Sequence, residues 1–221
     1  MPRTFAIGDV HGCDTALRTL LAKIEPRSDD TLVFLGDVVD RGPGTRQVIE
    51  QILTLQKRCQ LIAISGNHEE MMLAALAGED WSMWMEFGGE ETLESYGGDQ
   101  SRIPQAHVAF LESMPDYWET PADIFVHANL QPDVLLEDQS DHWLRWNKLT
   151  GHEPRFDPAR RVVCGHTPQK TGYPLIFPGW VCIDTNCQRG GWLTALDVND
   201  DWIYQANERG ETRDFTLGGM V

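Results

Sequence analysis

Five short blocks of this 221-residue chain end in side chains able to bind a metal ion or to work beside one. They are Gly8-Asp9-Val10-His11-Gly12, Gly36-Asp37-Val38-Val39-Asp40-Arg41-Gly42, Gly66-Asn67-His68-Glu69, Val126-His127-Ala128 and Gly165-His166-Thr167. Asp, His and Asn offer carboxylate, imidazole and amide oxygen, a mixed O/N set without thiolate that suits Mn²⁺, Fe or Zn²⁺. The set is too large for one tetrahedral ion. A carboxylate has two oxygens and can bridge, so the economical arrangement is two ions about 3.5 to 4 Å apart sharing one Asp, a pair that activates water for hydrolysis. Any one of these residues alone reads as a helix cap or a solvated loop group; their joint placement carries the inference.

Each of the first three blocks follows an apolar run that reaches a glycine and then polar residues, the pattern of a strand handing its side chains to a loop. The periodicity predicts strands at Thr4 to Ile7, Thr31 to Leu35 and Leu61 to Ile64, with amphipathic helices at Asp14 to Ile24, capped by Asp14, and Thr45 to Gln56. This β-α-β-α-β order implies parallel strands, right-handed crossovers and carboxyl ends on one edge, where open α/β sheets bind ligands. Asp9, Asp37 and Asn67 then converge. The stretch from about residue 70 to 115 reads as a helical insert rich in Met and Trp. Short strands return at Ile124 to His127, Arg161 to Cys164, Val181 to Asp184, Leu193 to Val198 and Trp202 to Ala206, and predict a largely antiparallel second half forming another sheet. The expected fold class is α/β, a two-sheet sandwich flanked by helices, with residues 1–221 as one domain.

In this order the blocks resemble the metallophosphoesterases, specifically the PPP-type phosphoprotein phosphatases of bacterial and lambda-phage kind. The resemblance implies two divalent ions, Mn²⁺ first with Fe or Zn²⁺ as the other candidates. It makes Asp37 the bridge, with Asp9 and His11 completing one site and Asn67, His127 and His166 the other. His68 is the implied acid for the leaving alkoxide, paired with Asp40. Arg41 is placed to fork onto phosphate oxygens, and Arg145 in Trp143-Leu144-Arg145 matches a second phosphate-binding arginine. Ile183-Asp184-Thr185 and Gly190-Gly191-Trp192-Leu193-Thr194-Ala195-Leu196 resemble the family's C-terminal region. At the last block Thr167 and Pro168 follow His166, where nuclease-like and phosphodiesterase-like branches carry Gly-His-x-His. The chain has no G-x-x-x-x-G-K-[ST] loop, G-x-S-x-G elbow or C-x5-R loop.

The implied activity is a phosphomonoesterase, of serine/threonine protein phosphatase type, working by direct attack of a metal-bridging hydroxide. A symmetrical dinucleoside tetraphosphate hydrolase is the alternative, since those enzymes share the blocks and differ mainly in the insert. In that alternative Trp81, Trp84 and Phe87 are candidates to stack on a base, against a role in packing. A third, weaker reading is an inactive binding module of the same fold. The net charge of -16 argues against nucleic acid and anionic membranes as partners and makes phosphate recognition a local matter. No apolar run has the length of a membrane span and the N-terminus lacks a signal-peptide core, so a cytoplasmic location is expected. Five cysteines without a C-x-x-C pair argue against a disulfide framework. Cys164 and Cys182 read as packed thiols, and Cys13, beside the first block, is considered for a redox-sensing role. His107, His142 and His152 read as surface or packing residues.

Overall fold

Strand β1 (Thr4–Ile7), helix α1 (Asp14–Ile24), strand β2 (Thr31–Phe34), helix α2 (Thr45–Leu55) and strand β3 (Gln60–Ala63) open the chain in the computed structural model, which describes residues 1–220. The three strands pair in parallel, β1 with β2 and β2 with β3. Both helices are short and amphipathic. Helix α1 buries Ala16, Leu17, Leu20 and Ile24, and α2 buries Val48, Ile49, Ile52 and Leu55, the stripes that the sequence spacing predicts. Asp14 is the first helical residue instead of a cap, and no side chain caps α1.

The insert follows as α3 (Asn67–Leu76), α4 (Ser82–Trp84), a π-helical turn at Met85–Gly89, α5 (Glu90–Ser95) and α6 (Gln105–Glu112). Its Met71, Met72, Ala75, Trp84 and Phe110 join α1, α2 and the helix-facing residues Phe5, Ile7, Leu32 and Phe34 in one core cluster. The chain continues with β4 (Tyr117–Glu119), β5 (Asp123–Val126), α7 (Asp141–Arg145), β6 (Arg161–Cys164), β7 (Leu175–Phe177) and β8 (Trp180–Cys182). It ends with β9 (Leu193–Asp197), β10 (Trp202–Ala206) and β11 (Thr212–Thr216).

The strands form two sheets. One has six strands in the order β11-β10-β9-β1-β2-β3, the other five in the order β4-β5-β6-β8-β7. The second half therefore does not fold as one antiparallel sheet. Its centre, β5-β6-β8, is parallel, with antiparallel strands at the edges, while β9, β10 and β11 cross back and add antiparallel to β1. Periodicity marks a strand but not its partner, and β9 covers the side of β1 that would otherwise be an open edge.

The sheets pack face to face. Ala6, Val33 and Leu35 of the first meet Phe125, Val163 and Val181 of the second, while Ile124, Val126, Val162 and Trp180 bury the second sheet's other face. With both faces covered, the strands are continuous apolar runs. Each fully buried Leu, Ile, Val or Phe contributes about 1.5–3 kcal/mol, which fixes the two carboxyl-end edges side by side. No helix among the described residues is long and apolar enough to cross a membrane.

Candidate metal centre and active site

Five residues of the sequence blocks have left-handed backbone: His11 (φ 46°), Asp37 (50°), Asp40 (68°), Arg41 (68°) and His166 (60°). Non-glycine residues held there cost of order 1–3 kcal/mol each and persist only where neighbours impose them. The neighbours are identifiable. Val10 N–H and His11 N–H both donate to the Asp37 carbonyl, at 3.1 and 2.8 Å, and Gly12 N–H donates to Val38 O, so the first two loops are joined along their backbones. Glu69 holds the second and third loops together. Its buried carboxylate accepts from Gly66, Asp37 and Val38 N–H at 2.8 Å each and from Val39 N–H at 3.3 Å. Burial and the charge of Asp37 push this carboxyl up to about 7 against the pull of those N–H groups. The sequence places Glu69 in its block but assigns it no role. Gly66 is required by contact, since a Cβ there would fall 2.3 Å from Asp37 Oδ1.

The side chains at this edge present acceptors to one another. His11 Nδ1 lies 3.0 Å from Val39 O, His127 Nδ1 2.7 Å from Leu35 O and His166 Nε2 3.0 Å from Trp146 O. A carbonyl only accepts, so each bond places the ring proton outward and the remaining nitrogen lone pair inward. Inside, His127 Nε2 stands 3.1 Å from His166 Nδ1, 3.2 Å from Asn67 Oδ1 and 3.4 Å from Asp37 Oδ1. His11 Nε2 stands 3.4 Å from Asp37 Oδ2. Burial holds all three histidines below the usual imidazole range, His166 at about 3, with the neighbouring His127 adding to the effect there. Neutral rings with their protons turned away leave a concave set of lone pairs, the donor chemistry of a cation site.

The set divides in two. Ligating atoms of His11, Asp37 and His68 lie within 4.8 Å of one another, as do those of Asp37, His127 and His166. Asp37 belongs to both, with Oδ2 toward the first group and Oδ1 toward the second. Burial opposes its ionisation, but the surrounding histidines hold its carboxyl far below the usual carboxylate range. Asn67 joins the second group through His127. Asp9 lies at the margin: its carboxylate accepts the His166 backbone N–H at 3.2 and 3.0 Å. Burial and the nearby charge of Asp184 raise the Asp9 carboxyl, and burial pushes Asp184 up to about 7.

His68 meets the first group differently. Its Nδ1 lies 2.8 Å from Asp40 Oδ2, while its buried Nε2 has no partner and stands 4.0 Å from Asp37 Oδ2. Burial lowers the imidazole's pKa, yet the charge of Asp37 and the bond to Asp40 outweigh it and raise the net value. Arg41 reaches the same place, with Nη1 2.7 Å from His11 Nε2. Arg41 also lines an open trough of about 770 Å³ with Lys148, Lys170, Arg189 and the half-exposed Phe87, bounded by Glu86 and Glu91. In a chain of net charge -16 these four cations are a local concentration that the sequence did not reveal.

Arg145, for which the resemblance implies a phosphate-binding role, lies among carboxylates in the structure. Its guanidinium pairs with Glu70 at 2.9 Å and with Asp116, with Asp141 at 3.8 Å. These pairs tie α7 to α3 and to the residue that precedes β4. Cys13 is buried, which removes the exposed thiol that redox sensing needs, and Cys164 and Cys182 are buried as expected. His107 packs against Tyr96, whose hydroxyl is 2.8 Å from its Nδ1.

Known proteins match this arrangement. The pattern of the calcineurin-like phosphoesterases matches residues 2–170. A symmetrical bis(5'-nucleosyl)-tetraphosphatase of Janthinobacterium sp. (strain Marseille) is 41% identical over 264 residues, covering 89% of this chain and 93% of that one. An asymmetrical bis(5'-nucleosyl)-tetraphosphatase, PrpE, of Geobacillus sp. (strain WCH70) is 29% identical over 219 residues, covering 86% and 88%. Among solved structures, a candidate diadenosine tetraphosphatase superposes with a TM-score of 0.69 at 22% identity over 97% of this chain and 95% of that one. A serine/threonine phosphatase of Saccharomyces cerevisiae gives 0.64 at 18% over 98% and 80%, and both show a shared fold. With a family match over most of its length and a paired-cation donor set at the matching sheet edge, the chain belongs to the calcineurin-like metallophosphoesterases, hydrolases with a dinuclear metal site.

Proposed function

We propose that this hydrolase cleaves the phosphoanhydride chain of dinucleoside tetraphosphates, releasing two nucleoside diphosphates. The observation that carries the reading is the cationic trough beside the metal centre, where Arg41, Lys148, Lys170 and Arg189 line an opening of about 770 Å³. One phosphoryl group needs about one bidentate arginine; four cations match a longer polyanion. Phe87, 39% exposed at the same trough, offers a face on which a base can stack. The relatives named as tetraphosphatases, one of them symmetrical at 41% identity, support this over the phosphoprotein substrate that the sequence blocks suggested.

His11 and Asp37, with Asp9 alongside, hold one cation in this reading, and Asp37, Asn67, His127 and His166 the other. When bound, a pair of divalent cations, Mn²⁺ by first choice, supplies a water of pKa about 7 as nucleophile. Arg41 holds oxygens of the phosphoryl group under attack, and Lys148, Lys170 and Arg189 hold the rest of the chain. His68 keeps a proton on Nε2 and delivers it to the leaving oxygen, while Asp40 accepts from Nδ1 and fixes the ring's direction.

The second reading, hydrolysis of phosphoserine or phosphothreonine, draws on that same pair. A serine alkoxide leaves only with a proton, and a buried His68-Asp40 couple is built to give one, whereas a nucleoside diphosphate leaves more easily. A Mn²⁺-supplemented comparison of diadenosine tetraphosphate, a phosphoserine peptide and p-nitrophenyl phosphate separates the two. The dinucleotide should show the highest kcat/KM by at least about tenfold, a difference of 1.4 kcal/mol, with ADP as sole nucleotide product. Preference for the phosphopeptide would put the second reading in its place.

A further inference from the structure

The carboxylate of Asp40 is fully buried, and its two oxygens serve different parts of the chain. Oδ2 accepts from His68 Nδ1. Oδ1 accepts from Trp84 Nε1 at 2.9 Å and from Thr92 Oγ1 at 2.8 Å, both residues of the helical insert. The directions follow from the groups. An indole N–H can only donate, and the Thr92 hydroxyl has a single proton, which Asp40 takes. Thr92 Oγ1 in turn accepts from Asp40 N–H at 2.9 Å and from the Thr45 hydroxyl at 3.0 Å, so its capacity is filled.

The insert also fixes the backbone of this turn. Arg41 N–H donates to Gly88 O at 3.1 Å, from the kink between α4 and α5 where Gly88 has φ 107°. A Cβ on Gly88 would fall 2.7 Å from Arg41 N. Left-handed non-glycine residues are uncommon, and here two of them, Asp40 and Arg41, meet the kink at Gly88, at the centre of the proposed chemistry. Trp84 and Thr92 are 1% and 0% exposed, so a purely covering insert would fill these positions more cheaply with apolar groups.

We propose that Trp84 and Thr92 are positioning residues for the reaction: they clamp Asp40 Oδ1 so that Oδ2 fixes the ring of His68, which makes the helical insert part of the catalytic apparatus. This rests on the reading of His68 as the proton donor. The residues act through Asp40 and touch no substrate, so their removal slows turnover without changing affinity.

The test uses the full chain with Mn²⁺ and whichever of diadenosine tetraphosphate or the phosphoserine peptide it turns over faster, p-nitrophenyl phosphate being left out because its phenolate leaves without a proton. Thr92→Val, which keeps the shape and loses the hydroxyl, should lower kcat about 10- to 100-fold at constant KM, as losses one shell out from a working group do. Thr92→Ser should return kcat to within about threefold of wild type, and Trp84→Phe should resemble Thr92→Val. In a His68→Ala background Thr92→Val should cost nothing more, because both remove one function. The far-downfield proton resonance of His68 Nδ1–H should shift in Thr92→Val and return in Thr92→Ser. An equal loss from Thr92→Val in the His68→Ala background, or an effect confined to KM or to thermal stability, would overturn the proposal. Should Thr92→Val not fold, Trp84→Phe is read through the same cycle. An undiminished kcat in His68→Ala alone would instead refute the acid assignment.

Discussion

Strand β2 has an aspartate beyond each end, Asp30 and Asp37, and the two ends treat them oppositely. At the amino end Asp30 is surrounded by donors: Arg3 Nη2 at 2.5 Å, Arg27 N–H at 2.8 Å and Arg3 N–H at 3.1 Å. At the carboxyl end Asp37 accepts one backbone bond, from His68 N–H at 3.2 Å, and otherwise faces the lone pairs of His11 and His127, with the acceptor oxygen of Asn67 beside them. Both carboxylates are buried, on the same sheet. A buried charge that only holds a fold together is neutralised by the chain itself, whereas a buried charge faced mainly by acceptors is prepared for a cation from outside. The contrast separates structural from functional residues of the same type.

Substitution at the two aspartates is the strongest way to break that contrast. Asp37→Asn should lower kcat by on the order of 10³-fold or more, as loss of a central electrostatic group does, while costing the metal-free protein less stability than Asp30→Asn does, because no arginine pairs with Asp37. A fall in metal-free stability as large as that of Asp30→Asn would show that Asp37 is structural. Glu69→Gln comes next. It keeps the size but weakens the four N–H bonds that hold the Asp37 loop, and isothermal titration should show Mn²⁺ binding weakened about 10- to 100-fold; unchanged affinity would make Glu69 a bystander.

Asp30→Asn should do the reverse of Asp37→Asn, leaving kcat intact and costing about 2 kcal/mol of stability through lost charged hydrogen bonds. The pH dependence has a definite sign. Burial alone would raise the Asp30 carboxyl, but the bonds from Arg3 and Arg27 hold it below its usual value. The folded state then binds this proton less readily than the unfolded chain does. The stabilisation is complete above the ordinary Asp value of about 3.9 and is lost as pH falls through the lower folded value. Thermal midpoints of wild type and Asp30→Asn should therefore differ at pH 6 and converge at acid pH; a constant gap would contradict the assignment. Arg145→Ala is expected to have the smallest effect on catalysis, lowering the melting temperature with KM unchanged. A tenfold rise in KM at unaltered melting temperature would restore the phosphate role that the sequence suggested.

What could be read from the sequence follows the same division. The apolar runs ending at Gly8, Gly36 and Gly66 are local signals, and they correctly place Asp9, Asp37 and Asn67 at the carboxyl ends of parallel strands. His127 and His166 are weak signals singly and gain meaning from their order. The rest is non-local. Nothing near Arg145 announces Glu70 or Asp116, nothing in β9 says that Asp197 will pair with Phe5, and the hold of Trp84 and Thr92 on Asp40 exists only once the insert is packed. Side chains whose partners lie far along the chain leave no periodicity to read. Lys148, Lys170 and Arg189 are scattered for the same reason, and only the fold makes a trough of them.

The central claim is that Asp37 stands between two cations, and metal analysis of the purified chain after Mn²⁺ reconstitution tests it most directly. The account predicts about two ions per chain, falling to about one in His127→Ala, which removes a donor from the second group alone. One ion or none in the wild-type chain, or two still bound in His127→Ala, would contradict it.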